Sequence, residues 1–233
     1  MSGAPDYQLQ EGHPIGAYLV YESDGVFVDQ QDINNTELDY SSVTNNLRPG
    51  DMKFVDQNGD GIINGDDQIR IDDNGTPTFN FGANVRASYG GFDLNVLLQG
   101  ATGSSLRVQT ESGTIGNFLK YSYDNRWSIA NPSSEHPRLA ERGNTYYTGG
   151  NYGNNTYWLF SKNYVRLKTI ELGYSLPATI TDRLPISMFR AYVSAFNLFT
   201  IDSIDFFDPE STNSSGQYYP QSRVINIGFN VTL

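Results

Sequence analysis

An alternation of apolar and polar residues runs through positions 79–89 and resumes at positions 92–100, where only Leu97 breaks it. A period of two predicts β-strands that each have one apolar face. Gly90 and Gly91 separate the two runs and can adopt the positive φ angles of a two-residue hairpin turn. The pattern therefore predicts a β-hairpin with one continuously apolar face. Its expected cross-strand pairs are Tyr89 with Phe92, Ala87 with Leu94 and Val85 with Val96.

Four further segments predict strands, which gives about six strands in the chain. These segments are Ile15–Tyr21, Tyr164–Tyr174, Phe189–Phe199 and Arg223–Leu233. Within the second of them the apolar phase shifts between Leu167 and Ile170, which indicates a β-bulge near Lys168 and Thr169.

The connections between the predicted strands differ in length according to the end at which they lie. If the strands run up and down, segments 22–77, 101–162 and 200–222 lie at one end. The Gly-Gly turn, residues 175–187 and the C-terminus lie at the other, and aromatic residues are frequent near both strand ends. Long loops at one end, short turns at the other and two aromatic girdles are typical of outer-membrane barrels.

Either a second sheet or lipid has to cover the apolar face of these strands. A soluble sandwich would supply the sheet, whereas membrane-spanning strands need about 9–11 residues, a length that the hairpin arms reach. The asymmetry of the loops favours lipid. Six strands cannot close a membrane barrel, because open edges leave backbone groups unpaired in hydrocarbon. The predicted fold is therefore all-β: part of an antiparallel up-and-down transmembrane β-barrel, with about six strands of a larger barrel, long extracellular loops and short periplasmic turns.

Composition narrows the function classes. The 233 residues carry a net charge of −11, which argues against a nucleic-acid partner because phosphate contacts need clustered Lys and Arg. The chain has no cysteine and no apolar run as long as a membrane helix. Residues 1–14 lack the basic start and apolar stretch of a secretory signal. For an exported protein we therefore expect this chain to be a later part of a longer polypeptide, a fragment or a processed product.

An acidic segment, residues 56–67, has the spacing of a twelve-residue calcium loop. Oxygen-bearing side chains stand at positions 1, 3, 5, 9 and 12, and Gly61 stands at position 6, where the chain must turn. The predicted ligands are Asp56, Asn58, Asp60, the carbonyl of Ile62, Asn64 and Asp67. The flanking residues predict extended chain rather than an EF-hand helix pair, and the role of Ca²⁺ would be structural. A run of Asx turns with a solvated acidic face is the alternative.

Catalytic constellations are weak. The two histidines, His13 and His136, each lie isolated in a polar segment, and nucleophile triads need a positioned base. Carboxylate pairs such as Asp208 and Glu210 could serve glycoside hydrolysis, but in acidic loops they indicate solvated or ion-paired side chains. We therefore expect no catalytic residues and no enzyme.

Two groups of residues are candidates for contact with a transported substrate. Aromatic rings in loops rich in Gly and Asn suit sugar or peptide ligands, with loop packing as the alternative. These are Tyr146, Tyr147, Tyr152, Tyr157, Trp158, Tyr218 and Tyr219. The polar face of the hairpin would line a barrel lumen with Arg86, Asp93, Asn95 and Gln99.

Several motifs, in this order, resemble the C-terminal part of SusC/RagA-like TonB-dependent outer-membrane transporters of Bacteroidetes. The resemblance covers nearly all of residues 1–233. It rests on GHPIGAYLVYESDGVF at 12–27, PGDMKFVDQNGDGIINGDD at 49–67, YGGFDLNVLLQGATG at 89–103, NYVRLKTIELGYSLP at 163–177, YVSAFNLFT at 192–200 and YPQSRVINIGFNVTL at 219–233.

The resemblance implies a function in outer-membrane nutrient import. It implies that further strands and a plug belong to the same transporter, that a SusD-like surface lipoprotein acts as a lid, and that the TonB complex acts through the plug region. The cargo would be a glycan or a peptide. A soluble calcium-binding β-sandwich that binds carbohydrate is the alternative from the residues alone.

Overall fold

The structure, a computed structural model, describes residues 10–108, 117–140, 154–183, 185–213 and 218–233. Strands predominate in these ranges, and the few helices are short. The strands are β1 Tyr18–Tyr21, β2 Ser23–Val26, β3 Met52–Phe54, β4 Gln68–Ile71, β5 Phe79–Tyr89, β6 Phe92–Thr102, β7 Ser105–Arg107, β8 Leu159–Ser161, β9 Tyr164–Ser175, β10 Met188–Phe196, β11 Thr200–Asp202 and β12 Val224–Thr232. The helices are α1 Gln30–Asn35, α2 Lys120–Asn125 and α3 Ala178–Thr181, with 3₁₀ turns at Gly65–Asp67 and Thr156–Trp158. None of the helices described is long and apolar enough to span a membrane.

The chain divides into two compact units. The first, here called the core unit, falls within Met1–Thr76, Ser105–Ser161 and Ser211–Tyr218. The second, here called the sheet unit, falls within Pro77–Ser104, Lys162–Glu210 and Tyr219–Leu233.

The sheet unit is built on one antiparallel sheet in the order β12-β10-β9-β6-β5, with the short β11 paired to β9. The predicted hairpin is confirmed, since Tyr89 lies opposite Phe92 and Val85 opposite Val96. Gly90 and Gly91 take φ angles of 58° and 88° at its turn, which residues with a Cβ rarely adopt.

The predicted bulge is also confirmed. Leu97 of β6 pairs with Thr169 of β9, whereas the next residue, Leu98, pairs with Leu167. Lys168 is therefore the extra residue on β9, and the apolar phase of the strand changes there, as the sequence indicated.

The apolar residues of all five long strands align in rows across one face of the sheet. One row runs from Ala87 through Leu94, Leu172 and Val193 to Ile227. Ile227 is 88% exposed, and exposed apolar side chains recur along the face. They include Val85, Phe92, Leu172, Val193, Ile225 and Phe229. The face is thus continuous, apolar and uncovered.

The predicted strand Ile15–Tyr21 does not belong to this sheet. Only Tyr18–Tyr21 is extended, and it pairs with β4 in a two-stranded sheet of the core unit. The reason is burial on both sides, since the neighbouring residues Val20 and Tyr21 both have no exposed surface. The large sheet therefore contains five of the six long strands that the sequence predicted.

The core unit is built from segments that the sequence analysis treated as polar loops. Nine of its buried residues form an aromatic-rich cluster, in which the rings of Tyr21 and Phe54 stack with centroids 4.8 Å apart. The cluster consists of Tyr21, Val26, Phe27, Tyr40, Met52, Phe54, Ile63, Ala140 and Trp158. Residues 22–77 and the described parts of 101–162 thus contribute to a packed domain.

Candidate functional site

The acidic loop, residues 56–67, is organised by its own backbone amides. The carboxylate of Asp56 accepts hydrogen bonds from the N–H groups of Gly59 at 2.7 Å and Gly61 at 2.8 Å. Asp67 accepts from the N–H groups of Gln57 at 2.9 Å and Asn64 at 2.8 Å. These bonds draw both ends of the loop around two carboxylates.

The electrostatics of the loop follow from these bonds. Asp56 has a pKa below its ordinary value, chiefly because the Gly61 amide stabilises the charged form. At pH values above the ordinary carboxyl pKa, the lowered pKa of Asp56 contributes to the stability of the folded loop. This contribution is lost as the pH falls through the lowered pKa. Asp67 is fully buried. The folded loop therefore favours the ionised form of Asp56.

The chain on either side of the loop is not helical over an EF-hand length. β3 ends at Phe54 before the loop, and β4 begins at Gln68 directly after a single 3₁₀ turn. The expectation of extended flanks is confirmed. Among the described residues, no three His, Cys, Asp or Glu side chains form a group that could hold a metal ion. The carboxylates of Asp56, Asp60 and Asp67 are therefore not gathered into such a group.

The aromatic candidates lie in different environments. Trp158 is 7% exposed and belongs to the core cluster, where its ring meets that of Tyr157 edge-on at 4.7 Å. Tyr157 is held by a 2.8 Å hydrogen bond between its hydroxyl and Nδ1 of His136. Both side chains pack in the core unit, which is the loop-packing alternative for these two residues. Tyr218 is half-buried and Tyr219 is 86% exposed. Tyr146, Tyr147 and Tyr152 lie outside the described residues.

The four predicted lumen residues lie on one face of the sheet, opposite the apolar rows. Asn95 accepts a hydrogen bond of 3.4 Å from Nε of Arg86. Asp93 forms a two-pronged ion pair with Arg190, at 3.0 Å and 2.5 Å. Gln99 donates to the hydroxyl of Tyr164 at 3.3 Å.

Arg190 and Glu171 complete a polar group that the sequence analysis missed. Arg190 of β10 also bonds Glu171 of β9 at 2.7 Å, so one guanidinium joins three strands. It reaches Asp93 by lying over Gly173, where an added Cβ would come within 2.3 Å of the guanidinium. The alternation of β10 places Arg190 on the polar face, but its partners depend on strand register.

Arg166 and Lys168 of β9 form the second ion-paired group on this face. Arg166 is 3% exposed and pairs with both Asp208 and Glu210, and Lys168 lies 3.3 Å from Glu210. The ion-paired interpretation of Asp208 and Glu210 is confirmed. Backbone amides and Arg166 outweigh the effect of burial and lower the pKa of Asp208.

No family model matches the chain. Two curated proteins of Formosa agariphila are similar to it. TonB-dependent receptor P3 is 29% identical over 238 residues, which is 96% of this chain and 22% of that protein. The resemblance to TonB-dependent receptors is confirmed. TonB-dependent receptor P26 is 29% identical over 213 residues, or 84% of this chain and 21% of its own length. The chain spans about a fifth of the length of these TonB-dependent receptors.

Solved structures agree on the fold. A structure of the RagAB peptide transporter aligns with 94% of this chain, over 23% of the transporter chain's own length. The TM-score is 0.61 and the sequence identity is 20%. The RagAB peptide importer in the 'open-open' state aligns with 92% of this chain, over 22% of the importer chain's own length. The TM-score is 0.59 and the sequence identity is 22%. TonB-dependent receptors are transporters, so the expectation that the chain is not an enzyme agrees with its relatives.

Proposed function

We propose that this chain is a C-terminal part of the barrel wall of a TonB-dependent importer in the outer membrane of a Gram-negative bacterium. The observation that carries the proposal is the exposed apolar face of the sheet unit, with Ile227 88% exposed near the middle of β12. Its five long strands have 9 to 12 residues, as membrane-spanning strands require. A sandwich would bury this face, so the soluble alternative is disfavoured.

The two edges of the sheet support the need for further strands. β5 and β12 are the outer strands, and within the described residues each has a partner on one side only. Hydrocarbon does not tolerate unpaired backbone groups. In the proposed assembly the remaining strands of the same transporter pair with these edges, and its plug occupies the interior against the polar face.

The cargo and partners follow from the resemblance. We propose uptake of glycans or peptides, with a SusD-like surface lipoprotein as the lid and with energy from the TonB complex through the plug region. The long loops would form part of the extracellular vestibule.

Membrane fractionation tests this proposal. The receptor that contains the chain is expected to stay in the outer-membrane fraction after a carbonate wash and to be released only by detergent. The reason is that the apolar rows need hydrocarbon or detergent around them. Recovery of the intact receptor in the soluble fraction would contradict the proposal.

For the acidic loop we propose a structural Ca²⁺ site. The ligands would be Asp56, Asn58, Asp60, the carbonyl of Ile62, Asn64 and Asp67. Hard cations favour such oxygens, and three carboxylates among the proposed ligands suit a divalent cation. The bound ion would neutralise these carboxylates and cross-link the two ends of the loop.

Asp60→Ala is expected to abolish calcium binding, because it removes one of only three carboxylates in the set. Isothermal titration calorimetry of the receptor with CaCl₂ measures the effect. Asp66→Ala is the matched control, since Asp66 lies in the same loop but not at a ligand position. Unchanged binding in the Asp60→Ala variant would refute the ligand assignment.

A further inference from the structure

A segment that follows β11 is tied down onto the polar face of the sheet. This segment, residues 203–210, is called here the anchored segment. Its Asp208 lies 2.9 Å from Nη2 of Arg166, and its Glu210 contacts Nη1 of the same guanidinium. Ile204 at the start of the segment is 3% exposed. The acidic end of the segment is therefore held to β9.

Three further side chains lie within hydrogen-bond distance of Glu210. The hydroxyl of Tyr164 donates to it at 2.9 Å, and the side-chain amide of Gln221 also donates to it. Gln99 of β6 lies at the edge of hydrogen-bond distance, 3.5 Å from Glu210. The carboxylate is thus saturated by side chains of the chain itself.

The β-bulge at Lys168 has a role in this arrangement. Regular alternation would place Arg166 and Lys168 on the same face, and the extra residue at Lys168 changes the phase of the strand beyond it. Both cations contact Glu210, while Ile170 beyond the bulge lies in the apolar rows. Because of the bulge, Arg166 and Lys168 can both contact the anchored segment, while the apolar residues of β9 beyond the bulge lie in the apolar rows.

Separating these charges would be costly. Arg166 is 3% exposed, and the side chain of Asp208 is 7% exposed. A buried charge that loses its partner keeps the desolvation penalty without the compensating attraction. An ordinary mobile loop would not carry so many buried contacts, since mobile loops have few of them.

We propose that the anchored segment is a fixed constriction on the polar face of the sheet, held in place by Arg166 as its positioning residue. This inference rests on the proposed function in one respect, since there the polar face lines the path of the substrate. Gln99, Arg166 and Lys168 then lie beneath the segment. A passing substrate meets the segment itself, including the exposed Asp205 and the half-buried Phe206 and Phe207.

Distances between two spin labels test the proposal. The chain contains no cysteine, so Asp205→Cys in the segment and Ser88→Cys on β5 give two attachment sites within it. In the purified receptor we expect one narrow distance distribution. Arg166→Gln keeps the size of the side chain but removes its charge, and is expected to broaden the distribution at least twofold. An unchanged narrow distribution in that variant would overturn the proposal.

Arg190→Gln is the matched control, because it breaks the other ion-paired arginine of the same face without touching the segment. Its distribution should stay narrow, and broadening equal to that of Arg166→Gln would contradict a specific anchor. If Arg166→Gln does not fold, the double variant Asp208→Asn with Glu210→Gln removes the charges from the segment side. We expect this double variant to broaden the distance distribution. An unchanged narrow distribution would contradict the proposal that these ion pairs hold the segment.

The outcome is separable from that of the proposed function. A single label at Ile227→Cys reports whether the apolar face meets lipid, independently of the segment. Water contact at that label with a narrow segment distribution would refute the membrane proposal and keep the anchor. Lipid contact with a broad distribution in the otherwise unaltered receptor would refute the anchor alone.

Discussion

Replacement of Ile227 by arginine is expected to destabilise the folded receptor in a lipid bilayer by about 2–4 kcal/mol. Ile227 is the fourth residue of the nine in β12 and lies in the apolar row that crosses all five long strands. A charged side chain at this depth must leave water for hydrocarbon or distort the bilayer around it. If the face met water, the same change would cost little, because Ile227 is 88% exposed.

The measurement is reversible denaturant unfolding of the receptor in phospholipid vesicles. Asn226→Arg is the matched control, since the neighbouring residue lies on the polar face of the same strand and is also exposed. We expect that control to change the free energy of unfolding by less than about 1 kcal/mol. Equal effects of the two arginines would contradict the assignment of the faces.

Phe54→Ala is expected to destabilise the core unit by about 3–5 kcal/mol, the usual cost of removing a buried phenylalanine ring. Phe54 is 1% exposed and stacks on Tyr21, and the ring centroid of Tyr40 lies 6.4 Å from that of Phe54. Removal of the ring leaves a cavity between side chains that lie far apart in sequence. The segment 22–77 then loses its central contact.

Unfolding of the core unit can be followed by the fluorescence of its tryptophans, Trp127 and Trp158, which pack in or against the cluster. Ile129→Ala is the control, because Ile129 is 90% exposed in the same unit and should change stability by less than about 0.5 kcal/mol. A loss below about 1 kcal/mol for Phe54→Ala would show that this cluster is not the core.

The sheet unit was predictable because its strands keep a period of two over most of their length. One apolar face and one polar face fix the register of a hairpin once its turn is known, as at Gly90 and Gly91. Even the bulge at Lys168 left a signal, since the apolar phase shifted there. Strand ends differed from the prediction by at most three residues, as at β10, which ends at Phe196 rather than Phe199.

The core unit was not predictable in the same way. Its cluster joins Tyr21, Phe27, Tyr40 and Phe54 with Trp158, which are single apolar residues in polar surroundings. They follow no helical or strand period, so only the tertiary fold brings them together. A cluster of aromatic residues in long segments is the signal that such segments contain a core rather than open loops.

The sequence predicted which residues lie on the polar face but not which side chains they contact. Alternation placed Asp93 and Gln99 on it, and the same rule applied to β10 would have placed Arg190 there. That Arg190 reaches Asp93 over Gly173 depends on the register of three strands. The acidic loop differs, because its ligand spacing is local and is readable directly from the sequence.

The most direct test of the account is a spin-label scan along β12 in the receptor reconstituted into lipid. Each position from 224 to 232 carries one nitroxide, and collisions with oxygen, which concentrates in hydrocarbon, are compared with collisions with a water-soluble nickel complex. We expect oxygen contact to alternate with a period of two. It should peak at Ile225, Ile227, Phe229 and Val231, where the nickel complex is excluded. Exclusion of both reagents from these four positions, or free access of nickel to them, would contradict the contact of this face with lipid.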